Sequence, residues 1–526
     1  MEAVGTSIAT LDFVIIGIYF AVVLAIGIWV SKTTETGDDL FLAGRTLTWG
    51  VIGFSLFASN ISSTTLIGLA GAAYSGGIPV STYEWMSGVP LIILAVVFIP
   101  LFLKARISTI PEFLELRFDS RSRSYFSAIT ILLSIIVDTA GGLYAGAVVV
   151  KVFVPQIEIW QTVIALGLFA GLYTAAGGLK AVVYTDVIQA VVLILGTVLL
   201  TWLLFAELDY SWAAVLESSP EGHLSLIRPL DDPMLPGWGI PLGVFFLGFW
   251  YWVTNQYIVQ RVLGAKTVRD AQWGSILAGF LKIIPLFTMV IPGVMAIRLF
   301  PDLPNPDMVF PTLVTEVLPI GVTGLVLAGL VAAIMSSVDS TLNSASTLVV
   351  HDFVEPRNPG LTPELVGRYG RITTIILMII AILWAPMIAN FGGLWSYLQQ
   401  AFSIMVPPIA AIFLIGVFWK RGNGQGAFTA LWGGHLIGLF MFILTQLGYW
   451  PVHFTINVGV MVAVSTIIFV VVSLQSAPPD PEKVERGTWK PEMASEGTEG
   501  LPWYKDYRYQ SIALMAAMAW VLIGFW

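Results

Sequence analysis

Residues 59–65 read Ser59-Asn60-Ile61-Ser62-Ser63-Thr64-Thr65, six polar side chains in seven positions, in the middle of an apolar run from about 49 to 74. A helix of about 20 apolar residues crosses the roughly 30 Å hydrocarbon core of a bilayer. The polar stretch therefore falls at mid-depth. A second run carries a comparable interruption, Trp250-Tyr251-Trp252-Val253-Thr254-Asn255-Gln256. Backbone that leaves helical geometry inside a bilayer survives only where it lines a cavity or is buried in protein. Unwound segments there offer carbonyls to cations and aim helix ends at a bound solute. Packing of Ser, Thr and Asn between helices accounts for either stretch taken singly. Their matched positions, five spans apart, favour two inverted repeats, spans 2–6 and 7–11, each opening with a broken helix.

The rest of the chain has the composition such a reading needs. Of 526 residues, 57% are hydrophobic and 11% charged, and the mean hydropathy is +0.85. A soluble domain carries charge on about a quarter of its positions, so the solvent this chain suits is lipid. The net charge of -8 and the scattered Lys and Arg argue against nucleic acid as a partner. There is no cysteine, which excludes disulfides and thiolate metal sites. His223, His351, His435 and His453 lie too far apart to form a metal motif. The first apolar run has no positive charge before it and is too long for a signal peptide, so it is expected to stay as a span.

Apolar runs predict about fourteen transmembrane helices, near 11–31, 49–74, 80–103, 124–150, 159–177, 181–206, 238–260, 271–299, 321–350, 371–391, 394–418, 426–447, 452–474 and 509–526. With the N-terminus outside, only Lys151, Arg228 and Arg298 fall on outer segments and Lys282 inside a span. All others of the 25 Lys and Arg fall on inner segments. The positive-inside rule thus places both termini outside. The expected location is a plasma membrane, the inner membrane of a bacterium. The division is 1–48, a peripheral helix and inner loop; 49–206, the first repeat; 207–237, an outer acidic loop; 238–418, the second repeat; and 419–526, peripheral helices. Within the last, 475–508 reads as an inner linker before an isolated final helix.

A third polar stretch, Ala333-Ile334-Met335-Ser336-Ser337-Val338-Asp339-Ser340, sets 333, 336, 337 and 340 on one helical face. With carbonyls from a broken helix, that face makes an oxygen cage of low charge, suited to Na⁺ more than to Ca²⁺ or Mg²⁺. Charged residues inside spans are functional candidates by default. Glu84, Asp138, Asp186, Lys282 and Asp339 qualify, and for Asp186 a structural ion pair is an equal alternative. A cavity lined by Asn60, Glu84, Ser87, Lys282 and Gln399, walled by Tyr83, Tyr251 and Trp395, alternates donors and acceptors with little net charge. That suits a small, neutral, polyhydroxylated solute.

The strings FLAGR (41–45), NIS (60–62), TYEWMS (82–87), TIPEFLELRF (109–118), AGGLKAVVYTDVIQ (176–189), NQYIVQR (255–261), FLK (280–282), SSxxSxLNS (336–344) and FWK (418–420) resemble the sodium:solute symporter family over about residues 10–450. The closest likeness is to bacterial sodium/glucose and sodium/galactose cotransporters. The resemblance implies an all-α LeuT-type fold with a five-plus-five inverted-repeat core and discontinuous spans 2 and 7. It implies a sodium site at the carbonyls of Ala58, Ile61 and Ala333 and the hydroxyls of Ser336 and Ser337. It implies solute contacts at Asn60, Thr65, Glu84, Ser87, Asp138, Lys282 and Gln399, with Tyr83, Tyr251, Trp252 and Trp395 at the gates. Sialic-acid-type relatives imply a second cation site at Ser336, Asp339, Ser340 and Asp186.

Three positions depart from the galactose-type pattern: Thr64-Thr65 replaces Glu-Gln, Asp138 replaces Asn, and Gly248 replaces Asn. These point away from galactose itself and leave sugar or polyol as the class. The expected function is sodium-coupled symport of such a solute; sialic acid, proline or a carboxylate are the alternatives. A channel is a further alternative, because polar helices also line pores. No enzyme motif is present: HExxH, a GxSxG with its His, and GxxxxGK[ST] are all missing.

Overall fold

The computed structural model describes residues 9–526 apart from Thr33, Pro155, Pro233, Pro304, Gly392, Gly393 and Gly497. The side chains of Gln399 and Trp395, expected at the solute site and a gate, lie outside the described residues. Lipid offers no partner for free N–H and C=O groups, so an apolar chain of this length satisfies its backbone within helices. Among the described residues the regular structure is all helical, with one isolated bridge between Leu47 and Ala265. Ten helices are long and apolar enough to cross a membrane, and a bent pair makes an eleventh span.

In chain order the principal helices are α1 (Thr10–Ser31), α2 (Trp49–Asn60), α3 (Ser63–Gly76), α4 (Ile78–Ala105), α5 (Ser120–Lys151) and α6 (Ile159–Ala206). Next come α7 (Ile240–Thr254), α8 (Gln256–Leu263), α9 (Val268–Leu299), α10 (Val322–Arg357) and α11 (Pro363–Ile388). The last four are α12 (Leu394–Phe418), α13 (Gly424–Gln446), α14 (Phe454–Gln475) and α15 (Tyr507–Gly524). Two expected spans run together in α6, which Gly178 interrupts with φ 57 and ψ −156. Only glycine takes that conformation readily, and a Cβ there would stand 2.3 Å from the Leu40 carbonyl oxygen.

Both expected breaks are present, and both are built alike. Helix α2 ends where Ile61 turns to φ −82, ψ 107, and α3 leaves at 59° to it. Helix α7 ends where Asn255 turns to φ −77, ψ 121. In each case the next half-helix is capped by a polar side chain at the break: Ser62 accepts from the Thr65 N–H, and Asn255 from the Tyr257 N–H. A third interruption was not expected. Helix α9 breaks after Leu281, where Pro285 removes a donor and crowds the carbonyl four residues back. Lys282 occupies that break.

Burial separates core from periphery. Of the most apolar window of α10, 82% is buried inside the molecule, against 22% for α1. Helix α10 lies against α6, and α2 against both α6 and α9. Helices α12, α13 and α14 cluster together, and α1 leans on α6 and α10. The final helix is not isolated, for α15 lies along α9 and α4. The segment before it is tied down as well. The Lys483 ammonium donates to the Phe118 carbonyl at 2.7 Å, and the Trp489 indole N–H to the Val96 carbonyl at 3.1 Å.

Candidate functional site

The break between α2 and α3 carries Asn60, and the break in α9 carries Lys282, fully buried. Glu84 extends from α4, 6% exposed. These three helices meet so that the Lys282 ammonium forms an ion pair with Glu84 and a hydrogen bond to the Asn60 side-chain oxygen. A lone buried ammonium costs several kcal/mol, so the pairing explains how Lys282 is tolerated in a span. The Trp252 ring lies 5.8 Å from the same ammonium, a cation–π contact. Trp252, expected as a gate, thus lies beside the Lys282 ammonium.

Two further expected solute residues, Ser87 and Thr65, bond to backbone beside Glu84 and at Asn60. The Ser87 hydroxyl donates to the Tyr83 carbonyl at 3.1 Å. The Thr65 hydroxyl donates to the Asn60 carbonyl at 3.4 Å, closing the unwound turn. Tyr251 accepts a hydrogen bond at 2.6 Å from the Tyr257 hydroxyl. Asp138 lies half-buried on α5, next to Thr139, whose hydroxyl meets that of Thr341 on α10 at 2.7 Å. Gly248 faces Pro90 of α4, where a Cβ would come to 3.3 Å, so a side chain there has little room. Tyr83, next to Glu84, lines a cavity of about 850 Å³ that also meets Gly76, His223, Arg228, Asp232 and Asn457.

The expected cation residues lie where α2, α6 and α10 touch. The Ser337 hydroxyl donates to the Ala333 carbonyl at 3.2 Å and the Ser59 carbonyl at 3.4 Å. This hydroxyl joins the polar face of α10 to the last turn of α2. The Ser336 hydroxyl donates to Asp186 at 2.6 Å. Asp186 also accepts from Ser55 at 2.5 Å and from Ser59 at 3.1 Å. Asp339 is 0% exposed; one of its oxygens accepts from Ser340 at 3.3 Å and the other has no partner among the described residues.

Sequence reasoning missed the residue at the middle of this group. Arg261, counted among the inner basic residues, does not face water. It is 0% exposed and its guanidinium pairs with Asp186 at 2.9 Å. It also donates to Ser55 at 2.6 Å, to Ser340 at 2.5 Å, and to Ser59 and the Tyr257 carbonyl. Arg117 is likewise buried, donating to the carbonyls of Gly416, Trp419 and Gly422 at the end of α12. The missed signal for Arg261 was its string: Gln256, Gln260 and Arg261 make the short α8 too polar to face lipid. The two glutamines bond the Ile110 N–H at 2.7 Å and the Phe41 carbonyl at 2.6 Å.

Residues 40–434 match the sodium:solute symporter family. The chain belongs to that family. Among its relatives, the sodium/glucose cotransporter of Vibrio parahaemolyticus is 35% identical over 84% of this chain and 87% of its own. Sodium/glucose cotransporter 4 of Danio rerio is 34% identical over 94% and 83%. Sodium/myo-inositol cotransporter 2 of Sus scrofa is 34% identical over 91% and 78%. In fold, this symporter-family chain is similar to a Na⁺-coupled sialic acid symporter solved substrate-bound and outward-open, with a TM-score of 0.81 at 23% identity, covering 90% of this chain and 100% of that one. A nucleobase-cation-symport-1 family transporter in a closed conformation gives 0.55 at 14% identity, over 86% and 98%. The chain is accordingly a multi-pass membrane transporter of the LeuT-type fold, coupled to sodium, and not an enzyme.

Proposed function

We propose that the chain imports a small, neutral, polyhydroxylated solute, a sugar or polyol, by sodium-coupled alternating access. The observation that carries this reading is the Lys282–Glu84–Asn60 centre. Its two opposite charges cancel, while its donors and acceptors sit side by side at the breaks of α2 and α9. Such a surface matches ring hydroxyls, each of which both donates and accepts. The names of the glucose and myo-inositol cotransporters among its relatives support the same class.

Sodium binds at the carbonyls of Ala58, Ile61 and Ala333 and the hydroxyls of Ser336 and Ser337, stabilising the join between α2 and α10 in the outward-open state. Solute then binds at Asn60, Thr65, Glu84, Ser87, Asp138, Lys282 and Gln399, and gates at Tyr83, Trp395, Tyr251 and Trp252 close in turn. At the second cation cluster, Ser336, Asp339, Ser340 and Asp186, the guanidinium of Arg261 supplies the positive charge. A free cation enters there only when Arg261 leaves. The geometry favours one sodium ion per cycle. The reading also holds that the protein has fourteen spans, sits in a bacterial inner membrane and has both termini outside.

Uptake into proteoliposomes against a panel of sugars, polyols, sialic acid, proline and short carboxylates tests the solute class. A sugar or polyol is expected to accumulate and its kin to compete. Accumulation of proline or a carboxylate with no competition from sugars overturns the class.

A further inference from the structure

Gln260, in the string NQYIVQR, and Asn343, in SSxxSxLNS, belong to neither the sodium set nor the solute set. A helix advances about 100° per residue, so Ser336, Ser340, Asn343 and Thr347 fall within an arc of about 60° on α10. This polar stripe is buried throughout, and it faces α8, which packs on α10. Ser340 accepts from Arg261 at 2.5 Å, and two turns on Thr347 accepts from Gln260 at 2.7 Å. Asn343 lies between these two contacts on the stripe.

Hydrogen bonding along the seam is incomplete. The Gln260 amide nitrogen donates to the Phe41 carbonyl at 2.6 Å as well as to Thr347, but its side-chain oxygen has no partner among the described residues. The Asn343 amide nitrogen has none either. Buried amides are ordinarily satisfied, so these two groups point to a polar species that passes between α8 and α10. The side-chain oxygens on offer, from Ser340, Asn343, Gln260 and Thr347, are all neutral. Oxygens of that kind suit a hard cation of low charge and bind it weakly enough to let it leave.

Arg261, paired with Asp186 at 2.9 Å, closes the end of the seam at Ser336 and Ser340, because its fixed positive charge repels a cation. We propose that sodium leaves its site inward along this seam once α8 withdraws Arg261, with the side-chain oxygens of Asn343 and Gln260 as its relay. This rests on the sodium site and the orientation proposed above.

Sodium-driven uptake of labelled glucose or myo-inositol by the full-length protein in proteoliposomes tests it. Asn343→Leu keeps the size of the side chain and removes its oxygen. It is expected to lower the maximal rate about tenfold, the effect of losing one polar contact to a charge. The sodium concentration for half-maximal uptake is expected not to rise, and Asn343→Ser, which restores an oxygen, to recover most of the rate. A parental rate in Asn343→Leu overturns the proposal. So does a raised sodium requirement, which places Asn343 at the binding site.

The chain has no cysteine, so a single thiol at 343 gives a second measurement that holds even where Asn343→Leu does not fold. Ag⁺, a monovalent cation that bonds thiols, is expected to consume the thiol of Asn343→Cys about tenfold faster than that of Ser346→Cys. Ser346 faces away from the seam, toward the Gly370 carbonyl of α11. The readout is loss of maleimide labelling after denaturation, and equal rates overturn the proposal. If the parent takes up neither solute, the solute reading fails, and the two thiol rates still decide the seam.

Discussion

Arg261 and Asp186 form an ion pair at 2.9 Å with neither side chain exposed, at the junction of the broken second span with the two helices of greatest mutual contact, α6 and α10. Serines 55, 59 and 336 fill the remaining acceptor and donor positions around it. Removing one partner strands the other charge in the interior, at a cost of about 3–5 kcal/mol. Arg261→Ala and Asp186→Ala are each expected to lower the melting temperature of the detergent-solubilised protein sharply. The Arg261→Met, Asp186→Leu double variant is expected to recover part of the loss. Additive effects of the two single changes would show that the pair is not coupled.

The Lys282–Glu84 pair carries the solute reading. Glu84→Gln keeps the shape but removes the charge that holds the ammonium in place. Hydrogen bonds to charged groups contribute about 1.5–3 kcal/mol, so KM for the solute is expected to rise roughly ten- to a hundredfold. Initial rates at saturating sodium measure this, and an unchanged KM removes Glu84 from the site.

Sodium affinity separates from solute affinity at Ser337. Its hydroxyl bridges the carbonyls of Ala333 and Ser59 without touching Lys282 or Glu84. Ser337→Ala is expected to raise the sodium concentration for half-maximal uptake about tenfold. Varying sodium at fixed solute is the measurement; equal sodium curves for variant and parent place the ion elsewhere.

Backbone geometry makes a different kind of demand at Gly178. Its φ of 57 and the Leu40 carbonyl oxygen 2.3 Å from an added Cβ leave no relaxed place for alanine. Gly178→Ala is expected to cost at least 1–3 kcal/mol and to reduce the yield of monodisperse protein. Normal yield and melting temperature would mean that the kink between the limbs of α6 can straighten.

The loop of the cavity has a pH signature. Burial alone would raise the Asp232 carboxyl, but the N–H groups of Leu235 and Met234 and the Arg228 guanidinium outweigh it and hold the carboxyl below its ordinary range. A depressed value contributes stability that is present above the unfolded value of about 4 and lost as pH falls through the folded one. At neutral pH, Asp232→Asn is expected to mimic the acid state and speed hydrogen exchange across residues 229–237. No change there would mean that the loop is held by other contacts.

How much of this was legible in the sequence depended on whether the signal was local. The polar run 59–65 and the string around Asn255 disclosed both broken spans, because a polar run at membrane depth has few physical explanations. Glu84 and Lys282 stood out for the same reason, yet nothing local could pair them, since they are 198 residues apart. Arg261 was missed because counting basic residues by segment treats each one as wetted, whereas α8 folds back into the core. The break at Lys282 was signalled by Pro285 but hidden within an apolar run. The stretch 475–508 reads as a linker by composition; Lys483 and Trp489 tie it to the helices through backbone carbonyls that no sequence pattern announces.

The central claim is that a sodium gradient drives a sugar or polyol inward through the Lys282–Glu84–Asn60 centre. Accumulation of labelled glucose or myo-inositol in proteoliposomes, measured with and without an inward sodium gradient, tests it most directly. The account predicts saturable uptake above equilibrium that collapses when sodium is equalised across the membrane or replaced by potassium, and that is lost in Lys282→Met. Equal accumulation without the gradient, or sodium current with no saturable solute uptake, contradicts it.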